Sequence, residues 1–507
     1  MSSKVFSAAL AGLDAQIIET EAEVSQGLRR FSIVGLADKA IEESKERLGS
    51  AIQSSGFKPP HKQAQRVLIN LAPADLKKEG SLYDLPIALS YLLASEQTKF
   101  EPQGKIFAGE LALDGALRPI AGALSFALLC AEKGIKELFL PQKNAAEAAL
   151  VKTVDVFGFN SLAEIIRHLE NKVAASPWQT DIEETADSTN YPIDLAWIQG
   201  QPTAKRALEI AAAGSHNLFM EGPPGAGKTL LAKALPSILP PLSFDEMLET
   251  TKIYSVAGLL KQDAPLIFNR PFRAPHHTAS ETSLIGGGSP LRPGEISLAH
   301  RGVLFLDEFP EFHRDALESL RQPLEDGSVI ISRAKQRLSF PAKFMLVAAS
   351  NPCPCGYKND PERHCVCVGA QVASYRRKMS GPLMDRLDLF VDVPAIKYEK
   401  LVSSDPENSS ANIRKRVTLA RALQRQRFEE AGEKTLTNSE MDILQIKKYC
   451  LIDSNAGGLL RRYVDSGQLS ARGYHRLLRT ARTIADLENS ANISYEHISE
   501  ALSYRIR

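Results

Sequence analysis

Residues 222–229 read Gly222-Pro223-Pro224-Gly225-Ala226-Gly227-Lys228-Thr229, and no other stretch constrains the fold of this chain as strongly. The pattern is G-x-x-x-x-G-K-T. Its glycines let the backbone turn N–H groups towards phosphate oxygens at a helix N-terminus. Lys228 is then placed to reach the β- and γ-phosphates, and Thr229 to hold Mg²⁺. The pattern works only between a strand and a helix. Apolar residues ending at Met220 supply the strand, and Leu230 opens an apolar helical run to Leu235. Residues 222–230 are therefore expected to bind ATP.

The apolar run Val303-Leu304-Phe305-Leu306 leads into Asp307-Glu308. An unbroken apolar run of this length suits a central parallel strand, buried on both faces. At its end Asp307 is placed to orient Mg²⁺, and Glu308 to polarise an attacking water. A third apolar run, Phe344 to Ala349, ends in Ser350-Asn351, where the Asn351 carboxamide can position that water. Taken singly, such an Asn is also a turn former.

At 507 residues the chain has room for two to four domains. Its net charge of +1 excludes a uniformly basic nucleic-acid binder, so any such contact must come from local patches. No run of about 18 apolar residues and no secretory leader pattern is visible, which predicts a cytoplasmic protein without membrane partners. Residues 1–172 alternate β-prone runs with helical patterns and form an α/β domain. A polar, acidic linker is expected at 173–192. The nucleotide motifs occupy 193–400, laid out as a doubly wound parallel sheet. Residues 401–507 read as a basic helical domain.

Together with Gly381-Pro382-Leu383-Met384-Asp385-Arg386-Leu387-Asp388, these motifs resemble the magnesium-chelatase-like AAA+ ATPases, in the YifB/ComM family of competence-associated proteins. The resemblance covers essentially the whole chain. It implies an AAA+ P-loop core with a helical lid, preceded by a ribosomal-S5/Lon-protease-like α/β domain. It implies that Asn351 is the first sensor, Arg386 an arginine finger acting on a neighbouring subunit, and Arg472 the second sensor in the lid. It also implies a hexameric ring acting on single-stranded, forked or branched DNA. The activity implied is an ATP-driven helicase or translocase that promotes branch migration of recombination intermediates in natural transformation. A chelatase-like or protein-remodelling motor is the alternative. For Arg386, an ion pair with Asp385 or Asp388 competes with the finger role, and Arg476 and Arg479 follow Arg472 along one helix face.

Two projections are expected from the core. Prolines 271 and 275 and the triple glycine 286–288 predict a mobile loop over about 262–296, which the resemblance implies is the helix-2 insert near the pore. Its adjacent His276 and His277 could suggest metal or acid-base work, but adjacent side chains are expected to diverge, which favours a structural or substrate-contact role. A hairpin over about 326–341 is predicted from Asp326-Gly327, with Arg333, Lys335 and Arg337 alternating on one strand to contact DNA phosphates. A charged edge strand is the competing reading.

Cys353, Cys355, Cys365 and Cys367 form C-x-C, nine residues, C-x-C. Four thiolates on so short a loop suit structural Zn²⁺, with His364 as an alternative ligand and free thiols or a disulfide as alternatives to metal. In residues 1–172, the Lon-type Ser-Lys dyad falls at Leu82 or Tyr83 and at Leu124, so no protease is expected, with Ser81 left as a shifted candidate. Lys58, His61, Lys62, Arg66, Lys77 and Lys78 could meet phosphate, or simply be solvated.

Overall fold

The computed structural model describes residues 1–35, 39–76, 78–180, 191–261, 263–288, 291–333, 336–358, 363–379, 381–395 and 409–505. The chain begins with two long strands, Ser2–Ala11 and Asp14–Gln26, paired antiparallel around a turn at Gly12-Leu13. Gln65–Ala72 and Arg30–Val34 complete a four-stranded sheet, the last pair parallel. The helix Asp84–Ala94 packs on it with ten of its eleven residues buried. A second, parallel sheet of Lys105–Phe107, Glu137–Pro141 and Asp155–Phe159 follows. Lys78, expected on a basic surface, is instead fully buried, its ammonium donating to the Pro73 carbonyl. Lys77 lies outside the described residues.

The central sheet contains five parallel strands: β1 (Leu218–Glu221), β2 (Phe272–Arg273), β3 (Val303–Leu306), β4 (Met345–Ser350) and β5 (Leu389–Asp392). Their order is β2-β3-β4-β1-β5, so the phosphate loop leaves β1 between two neighbours. β3 and β4 are buried at every position, as their continuous apolar sequences require. Helices α1 (Pro202–Gly214) and α2 (Lys228–Ala234) flank the sheet, and α3 (Phe244–Ala257) packs on the N-terminal helix Ala123–Lys133 and on the strand Arg292–Pro293. A Ser243/Glu246 capping box starts α3, and Gly258 at φ 72° ends it.

The segment expected to be a mobile loop is partly built into the core. It supplies β2, the short helix Glu281–Ile285 around the fully buried Leu284, and the strand pair Gly286–Gly287 and Arg292–Pro293. The proline and glycine signals correctly mark irregular backbone, but Leu284 and Ile296 carry enough apolar surface to anchor it.

The hairpin is present as Ser328–Arg333 paired with Gln336–Pro341. Asp326-Gly327 is not its turn. It ends helix α4 (Arg321–Asp326), where Gly327 takes φ 63° as a left-handed cap, a conformation glycine serves in helix ends and turns alike. The register sets Ser332 opposite Arg337 and Arg333 opposite Gln336. Arg333 and Arg337 therefore lie on different strands and do not alternate along one. Arg337 is exposed, while Lys335 and the Arg333 side chain lie outside the described residues. Val329, Ile331 and Phe340 bury the base of the hairpin, and Leu338 meets Gly12 of the N-terminal turn.

Two long helices, α5 (Ser410–Glu430) and α6 (Ala471–Leu487), dominate the C-terminal region and share one apolar core with α1 and the sheet. Polar groups fix that docking. Gln424 donates to the Ala213 carbonyl, Arg416 meets Glu209 at 2.6 Å, and Arg206 meets Glu500 at 2.9 Å. Gly214 is required here, since a Cβ would run into His216 and Thr483. No helix among the described residues is long and apolar enough to cross a membrane.

Candidate nucleotide site

The site is assembled from the carboxyl ends of three neighbouring strands, where an open α/β sheet presents its ligand crevice. Beyond β1 the chain is pressed against β5, so a Cβ at Gly222 would strike the Val393 carbonyl. Gly225 (φ 79°) and Gly227 (φ 89°) then turn the backbone into α2 with open space where a Cβ would stand. That space is the cradle a phosphate chain needs.

Lys228 is 8% exposed, and burial lowers its pKa. Its ammonium donates to the carbonyls of Gly222 (2.6 Å) and Pro223 (2.9 Å) and to Asn351 Oδ1 (3.1 Å). The Thr229 hydroxyl donates to Asp307 Oδ2 at 2.7 Å. A hydroxyl and a carboxylate converging beside a phosphate cradle are the hard oxygen donors Mg²⁺ prefers, so these residues fit that ion. The Glu308 N–H donates to Asp307 Oδ1 at 3.0 Å, and Glu308 itself adopts φ 50°. This left-handed conformation is uncommon outside glycine and swings the carboxylate off the strand axis. Lys228, Thr229, Asp307, Glu308 and Asn351 are thus gathered in one place.

His277 belongs with them. Its Nδ1 stands 3.1 Å from Glu308 Oε2, and its ring lies 4.1 Å from that of His276, so the two imidazoles tilt together rather than diverge. The segment expected to be the insert thereby touches the Glu308 carboxylate. Only the paired histidines hinted at this, since the contact spans 31 residues of irregular chain.

Arg386 and Arg472 lie elsewhere. Asn217 precedes β1 and Asp388 precedes β5, at the amino ends of the strands. There Arg476 binds Asp388 at 2.8 Å and the Arg386 carbonyl at 2.7 Å. Arg386 is 8% exposed and donates to Pro382 O and to Glu325, not to Asp385 or Asp388. Arg472 is exposed in the first turn of α6, one turn before Arg476. Burial raises Asp388, but Arg476 and His216 outweigh it and hold the carboxyl well below its usual range. Strands of four residues put roughly 13 Å between the two ends of the sheet. Among the described residues, no group from 409–505 hydrogen-bonds to the phosphate loop, Asp307, Glu308 or Asn351.

Next to Asn351, the four cysteine sulfurs lie within 4.8 Å of one another. Cys353 Sγ is 3.4 Å from Cys355 and 3.7 Å from Cys365, and Cys355 and Cys365 are 3.6 Å apart. None of these sulfurs is bonded to another, so the arrangement does not support the disulfide alternative. His364 is exposed and outside the cluster. In the N-terminal region Ser81 donates to Glu110 rather than meeting a lysine.

A phosphate loop on a five-stranded parallel sheet, with a Thr/Asp pair, a strand-end Glu and a helical C-terminal region, defines a P-loop protein of the AAA+ kind. Residues 194–401 match the family "Magnesium chelatase, subunit ChlI", residues 20–144 "Subunit ChlI of Mg-chelatase", and residues 407–505 its C-terminal family. The chain belongs to the YifB/ComM family of magnesium-chelatase-like AAA+ proteins. It is 42% identical to competence protein ComM of Haemophilus influenzae, covering 99% of this chain and 97% of that one. It is 40% identical to the YifB protein of Escherichia coli over the same shares. The magnesium-chelatase 67 kDa subunit of Heliobacterium mobile is 25% identical over 45% of this chain and 38% of its own length.

Proposed function

We propose that the chain hydrolyses ATP in a hexameric ring and uses the energy to translocate on DNA, driving branch migration of recombination intermediates during natural transformation. The convergence of Lys228, Thr229, Asp307, Glu308 and Asn351 carries the hydrolytic part of this reading. Mg²⁺ bound by Thr229 and Asp307 supplies charge neutralisation on the phosphate oxygens. Lys228 adds a buried cation beside the same oxygens. Glu308 accepts a proton from the attacking water, and Asn351, held by Lys228, orients that water.

Because Arg386 and the first turn of α6 lie at the amino ends of the strands, both reach nucleotide only across a subunit boundary. A finger supplied in this way is worth about 10³-fold or more in rate. It would make hydrolysis depend on assembly. The competence relative, similar along its whole length, supports DNA as the substrate. Phosphate contact through the hairpin remains part of this reading, with the exposed Arg337 on its second strand and Arg333 and Lys335 as the other sequence candidates. The cysteine cluster is assigned to structural Zn²⁺.

Hydrolysis and strand displacement on forked, three-way and four-way DNA test the reading, comparing the wild type with Lys228→Ala and Glu308→Gln. Displacement that both variants abolish is expected. Hydrolysis without displacement on any branched substrate would instead favour a chelatase-like motor acting on protein.

A further inference from the structure

The cysteine cluster touches the nucleotide site on two sides. Cys353 follows Asn351 by two residues, so the turn from Cys353 to Gly356, closed by the Gly356 N–H to Cys353 carbonyl bond of 2.9 Å, sets where the Asn351 carboxamide sits. On its other side Gly356, at φ 86°, lies so close to the phosphate loop that a Cβ would stand 2.5 Å from Pro224 Cδ. The helix Gly369–Arg377 starts two residues after Cys367 and sends Arg376 to within 3.7 Å of Glu221, the residue preceding Gly222.

The sulfurs have the spacing of a metal centre. Tetrahedral thiolates at Zn–S of about 2.3 Å stand about 3.8 Å apart, and the three distances above run from 3.4 to 3.7 Å. The Cys355 N–H donates to Cys367 Sγ at 3.4 Å, the kind of backbone bond that steadies a thiolate ligand. Cys353 is fully buried, whereas residues 363–368 are exposed or half-exposed and offer little apolar surface to hold the loop. Metal bound to so short and polar a loop supplies folding energy that its apolar contacts do not.

We propose that Cys353, Cys355, Cys365 and Cys367 bind one Zn²⁺ as thiolates, releasing four protons, and that this ion braces the nucleotide site by fixing Asn351 and buttressing Pro224. The proposal rests on the nucleotide reading of Gly222–Thr229. The zinc ion touches no nucleotide. Its contribution is positional, through the backbone on which Asn351 and the phosphate loop rest.

The test uses the full chain and has a readout independent of hydrolysis. Zinc released by a mercurial reagent is counted per chain, and Co²⁺ exchanged into the site is examined for the absorption of a tetrahedral thiolate centre. Fluorescent ATP binding is then measured on metal-replete, stripped and re-metallated protein, with Cys365→Ser and Gly356→Ala as variants. Expected are one metal per chain, a tetrahedral thiolate spectrum, and a Kd for ATP that rises at least ~10-fold on stripping and recovers with Zn²⁺. Should Cys365→Ser fail to fold, the strip-and-restore series on the wild type decides alone. Metal-free chain as isolated, or ATP affinity unchanged by stripping, overturns the brace. Failure of the nucleotide reading is distinct, because then even metal-replete protein binds no ATP.

Discussion

The guanidinium of Arg386 is held by Glu325, the second-last residue of α4, and only Gly327 separates that helix from the hairpin strand that begins at Ser328. Arg386 is 8% exposed and Glu325 about half-exposed, and Arg386 Nε is buried without a hydrogen-bond partner. The hold is therefore incomplete, and a half-exposed pair of this kind is worth roughly 1 kcal/mol. If Arg386 is the proposed finger, a displaced hairpin would tug on Glu325 and free it. Glu325→Gln should raise basal hydrolysis a few-fold in assembled protein and reduce its further stimulation by DNA. Unchanged basal and stimulated rates would sever the hairpin from the finger.

Action across a subunit boundary has its own test. Arg386→Ala and Lys228→Ala should each be inactive alone, the first by about 10³-fold. Mixed in equal amounts, they should regain measurable hydrolysis, because some interfaces pair an intact loop with an intact finger. A mixture as dead as its parents would place Arg386 outside catalysis.

The Thr229–Asp307 bond predicts coupled losses. Thr229→Ala and Asp307→Asn should raise the Mg²⁺ concentration needed for half-maximal hydrolysis, and the double variant should be little worse than either single one, since both disrupt one ion site. Glu308→Gln should bind ATP normally yet turn over at least ~10²-fold more slowly. Nucleotide binding and single-turnover hydrolysis separate these behaviours.

His277 at 3.1 Å from Glu308 points the carboxylate towards the insert. His277→Ala should release it and alter basal kcat, with little effect on the KM for ATP. His276→Ala, which removes the ring neighbour but not the carboxylate contact, should do less. Equal effects from the two substitutions would show that loop packing, not the contact, matters.

Glu147 predicts a pH dependence of stability. It is 6% exposed, near α3 where the N-terminal region meets the core, and burial pushes its pKa up to about 7. A carboxyl raised in the folded state binds its proton more tightly there than in the unfolded chain. Stability is then highest below the ordinary value of 4.5 and falls as pH rises to about 7, by on the order of 3 kcal/mol. Asp84, pushed up to about 6 by burial despite Arg47, acts in the same sense. In urea melts between pH 5 and 8, Glu147→Gln should flatten part of the slope and leave the Asp84 share.

The candidate site was legible because its residues stand in a glycine-rich loop just beyond one apolar run or at the ends of two others, where strand and motif lie together in the sequence. Lys228, Thr229, Asp307, Glu308 and Asn351 needed only the sheet to close. What escaped depends on distant pairing. Nothing local ties His277 to Glu308 or Glu325 to Arg386, and the buried ammonium of Lys78 looks in sequence like any solvated lysine. Asp326-Gly327 misled because a left-handed glycine closes helices as readily as hairpins.

The docking of α6 at the amino ends of the strands has a consequence for how the protein responds to its own abundance. A lone chain offers a phosphate cradle that its own helical domain leaves open, so nucleotide held by a monomer is free to leave. In the ring proposed above a second copy would close it, and by mass action ATP and the neighbouring chain would then tighten each other's binding. Below its assembly concentration the protein would idle with little waste of ATP, and a modest rise in expression would switch it on steeply.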